Sequence, residues 1–101
     1  MARLAVYRMP GSAGTGYVLD VQANLLSHLS TRAVVPLLPQ VGAPTPIRDL
    51  NPLFDIRGEP HVMLTQAIAS VPVKELRHSV AALDDRHDEV TRALDVLFAG
   101  L

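Results

Sequence analysis

Arg32, His61 and Asp20 are the residues whose types could run a reaction without a metal. A guanidinium can stabilise a phosphorane and an imidazole or carboxylate can move a proton, which together would cleave RNA. The plainer reading, and the preferred one, makes Arg32 a strand-end charge partnering a carboxylate. The four histidines, His28, His61, His78 and His87, show no metal-ligand spacing, so each is expected in a surface or partly solvated role. No serine lies in a strand-Gly-x-Ser-x-Gly-helix setting, which argues against a nucleophilic triad. Gly11-Ser12-Ala13-Gly14-Thr15-Gly16 has the look of a phosphate cradle, but a strand pattern follows it and no lysine is near. It reads as a plain hairpin loop. No residue set here calls for a cofactor or a metal.

Two apolar features ask a different question. Leu25-Leu26 follows a strand end in a short polar connection, and is either a core plug beneath the sheet or an exposed protein contact. The chain also stays apolar to its end, in Leu97-Phe98-Ala99-Gly100-Leu101, where free tails are usually polar. Phe98 and Leu101 fall off the helical stripe that contains Leu97. They either pack on the sheet or form an adhesive helix tip.

Positioning these groups takes one domain spanning residues 1–101. Apolar residues make up 49% and charged residues 19%, which excludes a disordered chain. The formal net charge is −1 with the arginines scattered, so direct nucleic-acid binding is disfavoured. The absence of cysteine excludes disulfides and thiolate sites. No signal-peptide or membrane-spanning pattern is visible, and a cytoplasmic location is expected.

Before about residue 72 the pattern is one of short strands. Ala2 to Arg8 alternates, and Tyr17 to Gln22 completes a first hairpin. Ala33 to Leu38 is a strand whose Pro36 places it at an edge or a bulge. Pro39 to Pro52 holds four prolines and reads as a loop. Phe54 and Ile56, the turn Arg57 to Pro60, and Val62 and Leu64 form a second hairpin, and Gln66 to Val71 a last strand. After Pro72, Leu76, Val80 and Leu83 are spaced for a helical face. Asp84 or Asp85 is expected to cap a second helix with the stripe Val90, Ala93, Leu94 and Leu97, an Asp88–Arg92 pair outside, and Gly100 as its stop. The fold class is antiparallel β with a helical C-terminus.

Tyr17-Val18-Leu19-Asp20-Val21-Gln22 with Leu25-Leu26, then Arg32-Ala33-Val34-Val35-Pro36-Leu37, then Ala69-Ser70-Val71-Pro72-Val73, and finally Phe98, Gly100 and Leu101 occur in an order that resembles the CcdB toxins. The likeness covers nearly the whole chain. It implies a mainly β fold with a C-terminal α-helix: a small SH3-like barrel, or curved five-stranded antiparallel sheet, closed by that helix. It also implies a homodimer that poisons DNA gyrase by trapping its cleaved-DNA state, with no catalysis of its own. The implied partners are the gyrase A subunit and a CcdA-like antitoxin, with operator DNA reached only through the antitoxin complex and no membrane.

Carried over position by position, the resemblance places gyrase binding on Leu25 and Leu26 in the loop and on His87, Asp88, Asp95, Ala99, Gly100 and Leu101 along the helix. The chain departs from the family at Ala99, where Trp is usual. His87 and Asp95 stand where other members place Glu and Asn. Truncating an aromatic anchor to Ala commonly costs on the order of 2–4 kcal/mol. Two alternatives follow: an RNA-cleaving toxin on a related fold, and a non-toxic homologue that binds only its antitoxin.

Overall fold

A computed structural model describes residues 2–10 and 16–100 of the chain. Among the described residues seven strands form one sheet: β1 (Ala5–Arg8), β2 (Tyr17–Asp20), β3 (Thr31–Pro39), β4 (Leu53–Ile56), β5 (Glu59–Met63), β6 (Ala69–Pro72) and β7 (Ser79–Ala82). A single helix, α1 (His87–Ala99), follows. Every pairing is antiparallel, in the order β4-β5-β3-β2-β1-β7, with β6 also pairing β3. The result is a curled, SH3-like sheet closed by the C-terminal helix, with seven strands where five were expected.

β3 organises the sheet. Along one edge it meets β2, with Leu19 opposite Val35. Along the other edge it takes β6 at Thr31 to Val34 and β5 at Leu37 to Pro39. Pro36 falls in the junction between those two partners, where no strand requires the N–H that proline lacks. Its carbonyl accepts the Leu64 N–H at 2.9 Å. Pro36 therefore sits in a central strand, and the interruption expected of it is a change of partner.

Both faces of the sheet are buried, as alternation along β1 and β2 requires. Leu4, Val6, Leu19, Val21, Val35, Leu37, Phe54, Ile56 and Met63 form the main core with Val90 and Ala93 of α1. Ala5, Tyr7, Val18, Val34 and Leu76 form a second cluster on the opposite face. The β4–β5 hairpin turns on two residues, Arg57 at φ +54 and Gly58 at φ +89, so Glu59 and Pro60 belong to β5 rather than to the turn. Positive φ at both central residues matches the right-handed twist of the flanking strands.

The helix expected over residues 72–83 is absent. Pro72 closes β6 opposite Thr31, Val73–Glu75 is a single 3₁₀ turn, and Ser79–Ala82 is β7, paired to β1. Leu76 and Leu83 are buried on the two different faces of the sheet, so their spacing serves two cores instead of one helical stripe. The open edge of β1 needs backbone partners, and Leu83 N–H to Leu4 O at 2.9 Å continues that ladder.

Helix α1 is entered through a 3₁₀ turn at Asp84–Arg86, and neither Asp84 nor Asp85 caps it with a side chain. Arg86 does two things there: it pairs with Glu89 and lies 4.9 Å over the Phe54 ring. The cation–π contact and the ion pair fix the helix entry on β4. The ion pair seen on this face is Arg86–Glu89, not the expected Asp88–Arg92. The helix stops at Gly100 in the left-handed conformation, whose N–H reaches Asp95 O and Val96 O, both at 3.1 Å.

Candidate functional site

The connection between β2 and β3 carries the first candidate surface. Asn24–Leu26 is a 3₁₀ turn that leaves Leu25 86% and Leu26 41% exposed, with Leu29 close behind at 41%. The leucines are thus surface groups, not a core plug. What holds them out is Gln22, which the sequence reading passed over. Its Oε1 accepts the Ala33 N–H at 3.1 Å, and its Nε2 donates to Leu26 O at 3.1 Å and to Thr31 O at 3.2 Å. Asn24 Oδ1 adds a bond from the Arg3 N–H at 2.8 Å. A long connection with polar fasteners can afford apolar side chains in water.

The tip of α1 carries the second. Phe98 is 71% exposed, and Ala99 and Gly100 are exposed beside it, whereas Leu97 is half-buried. Of the two readings of the tail, Phe98 follows the adhesive one. Leu101 lies outside the described residues. His87 and Asp88 are exposed at the opposite end of α1, about 18 Å away along the axis by helix rise. Asp95, also exposed, is one turn before Ala99. One protomer therefore does not gather all these positions into one patch. They form the outer face of the helix, acidic at its start and apolar at its tip.

The residues considered for RNA cleavage are arranged for something else. Arg32 and Asp20 are both fully buried. Arg32 Nε donates to Asp20 Oδ2 at 2.9 Å, Nη2 stands 2.6 Å from the same oxygen, and Asp20 Oδ1 accepts the Gln22 N–H at 3.0 Å. Nη1 has no partner among the described residues. Tyr7, buried beside them, has its ionisation pushed above the usual 10.0, mainly by desolvation and then by the Asp20 charge. His61 is buried as well, against the expectation of a solvated position. It meets the Tyr17 ring edge-on at 5.2 Å, and its Nδ1 lies 2.9 Å from Glu59 O. It pairs with Pro39 at the far end of β3, about 20 Å from Arg32 by strand rise. Arg32 and Asp20 thus meet, as the preferred reading had it, while His61 stands apart.

Asn51 is a further polar residue that sequence alone did not single out. Its side chain accepts the Ile47 N–H at 2.9 Å and donates to Met63 O at 3.0 Å and Gln66 Oε1 at 2.8 Å. This ties the proline-rich crossing to β5. Among the described residues, no group of three or more His, Asp or Glu is placed to hold a metal ion, and no helix is long and apolar enough to cross a membrane.

A curled antiparallel sheet closed by one C-terminal helix defines the class as a small SH3-like barrel, and solved structures of the same shape are described as toxins. One, "Mycobacterium tuberculosis toxin MazF-mt6", superposes with a TM-score of 0.73 at 15% identity, covering 93% of this chain and 95% of that one. Another, "Crystal structure of Mtb toxin", gives 0.65 at 18% identity, covering 89% and 100%. At such identities the likeness is one of fold. The chain itself belongs to the CcdB family: the family model described as CcdB protein matches residues 3–100. It is thereby a toxin of the toxin–antitoxin kind.

Proposed function

We propose that this chain is the toxin of a type II toxin–antitoxin module, that it binds the A subunit of DNA gyrase and that it traps the enzyme's cleaved-DNA complex. The observation that carries the reading is the family match over residues 3–100. The exposed apolar tip at Phe98 and the exposed Leu25-Leu26 turn support it, since contiguous apolar surface in water marks a protein contact. The protein acts by binding and breaks no bond itself. In a homodimer the two-fold axis doubles each half-site and suits a two-fold target. Leu25, Leu26, His87, Asp88, Asp95, Ala99, Gly100 and Leu101 are the residues assigned to gyrase. A CcdA-like antitoxin neutralises the toxin, and operator DNA is met only through that complex.

RNA cleavage by Arg32 is the weaker reading, because a guanidinium with no exposed surface cannot reach a phosphorane. The test is a gyrase DNA-cleavage assay with the purified protein beside its Ala99→Trp variant and a chain lacking Gly100 and Leu101. Linear, covalently trapped DNA is expected, rising on the order of thirtyfold or more in apparent affinity with Trp, as an aromatic anchor would give. Loss of trapping is expected on truncation, with the circular dichroism spectrum unchanged. No trapping by either full-length chain would overturn the gyrase assignment, and trapping that survives truncation would overturn the role of the helix tip.

A further inference from the structure

Gln22 stands where the β2–β3 ladder comes apart. Val21 N–H donates to Ala33 O at 3.0 Å, and in a regular antiparallel ladder the facing residues exchange the reciprocal bond as well. Here Ala33 N–H goes to the Gln22 side chain, reaching Oε1 at 3.1 Å, while Val21 O accepts Arg3 Nε at 3.3 Å. A side chain thus takes over a rung of the sheet, and the main chain leaves β3 just before the Asn24–Leu26 turn.

The amide end of the same side chain serves the turn. Its two hydrogens match two carbonyls: Leu26 O at 3.1 Å and Thr31 O at 3.2 Å, where the connection rejoins the sheet. Leu26 O also accepts Leu29 N–H at 3.1 Å, so Gln22 holds the carbonyl that orders the second half of the connection. Gln22 N–H is tied to Asp20 Oδ1, but only the carboxamide reaches the turn. One acceptor and two donors on a side chain of this length describe glutamine. Glutamate has no N–H to give, and asparagine is a methylene shorter. What the turn presents is Leu25, almost fully exposed, with Leu26 and Leu29 partly so. A loose connection would have to order itself on contact, and that ordering is subtracted from the affinity.

We propose that Gln22 is the positioning residue of the gyrase-facing turn: its carboxamide clamps the connection at Leu26 and Thr31 onto β3 and so presents Leu25 and Leu26 to the enzyme already ordered. Gln22 acts through the two leucines and does not itself touch the target. The inference rests on the gyrase reading for the identity of the target, not for the clamp. A polar residue that only completed the sheet would need the Ala33 bond alone; the two bonds into the turn are what positioning adds.

The test measures gyrase trapping and native-state thermolysin cleavage for the full chain and its Gln22→Ala and Gln22→Glu variants, each carrying Ala99→Trp to strengthen the signal. Glutamate keeps an acceptor for Ala33 N–H but sets a carboxylate oxygen against the Leu26 and Thr31 carbonyls. Both variants are expected to need on the order of tenfold more protein for half-maximal trapping. Both are also expected to be cut within residues 23–30 on the order of tenfold faster, well below the unfolding temperature. Adding Gln22→Ala to a Leu25→Ala, Leu26→Ala chain is expected to change trapping by less than about twofold, because the groups it positions are gone. A residue with a merely structural role would lower trapping equally in both backgrounds, and that result would overturn the proposal. So would full trapping by the Gln22→Glu chain, or cleavage no faster than in the parent. If no chain traps gyrase, the target reading alone fails, and the cleavage rates still decide for or against the clamp.

Discussion

Replacing Asp20 by Ala strands Arg32, and the structure sets the size of the effect. The guanidinium is fully buried, its Nε and Nη2 share one carboxylate oxygen, and Nη1 already lacks a partner among the described residues. Removing the carboxylate leaves an uncompensated charge in the sheet, which costs about 3–5 kcal/mol. It also removes the acceptor for the Gln22 N–H at 3.0 Å. Against the 5–15 kcal/mol typical of a domain, that is close to unfolding. At roughly 4–8 °C per kcal/mol for a chain of about this length, the midpoint falls by about 12–40 °C. Changing both partners together, Asp20→Leu with Arg32→Met, removes the charge and its counter-charge at once and is expected to be near neutral or stabilising. Urea unfolding by circular dichroism, at one fixed protein concentration so that any association contributes equally, measures all three chains. A loss below about 1 kcal/mol for Asp20→Ala would place the pair in a solvated setting and refute the reasoning. The double variant also separates roles: it should keep the gyrase trapping proposed above, and a folded double variant that has lost toxicity would make Arg32 a functional group after all.

Other expectations follow from local geometry. Gly16→Ala should destabilise by about 1–3 kcal/mol in the same unfolding assay, since the residue has φ +96 and a Cβ would stand 2.9 Å from Leu37 O. Arg57→Asn should stabilise by a few tenths of a kcal/mol, because asparagine accepts the φ of +54 that arginine holds at strain. Tyr7 keeps its proton more firmly in the folded state, being raised above 10.0 by burial first and Asp20 second. Stability is therefore complete below pH 10 and falls as pH rises through the folded value, and Tyr7→Phe should flatten that alkaline loss in a pH series of thermal melts. Gln22→Ala should loosen the Leu25-Leu26 turn, seen as faster exchange of the Ala33 amide, whose bond to Oε1 is lost.

Much of this fold was legible because alternation and turn chemistry agree locally. Tyr17, Leu19 and Val21 face the main core and Val18 the second cluster, as period two demands. The stripe Val90, Ala93 and Leu94 packs as written, and Gly100 ends the helix. The segment 73–83 misled because spacings of four and three fit a helical face equally well, and the demand of β1 for a backbone partner is invisible without the sheet. Arg32 was legible only in outline: its pairing with a carboxylate was readable, its full burial was not. A clue lay in the uninterrupted run Ala33-Val34-Val35, which marks a strand buried on both faces and so places Arg32 on one of them. The position of Phe98 off the stripe left it either on the sheet or exposed, and only the packed helix decides for exposure, whereas the distance between His87 and Ala99 follows from helix rise alone.

The change of partner at Pro36 bears on how the protein comes apart. β3 is the shared template for β2, β5 and β6, and the last two meet it only after long excursions of the chain. Neither β5 nor β6 can keep its place once β3 leaves. Unfolding should therefore be all-or-none across the sheet, with amides on β3 exchanging only through the global opening, while α1, which borrows its core from the sheet, cannot persist as an independent unit. The same dependence makes assembly late and non-local, so this small β protein is expected to fold in milliseconds to seconds rather than microseconds.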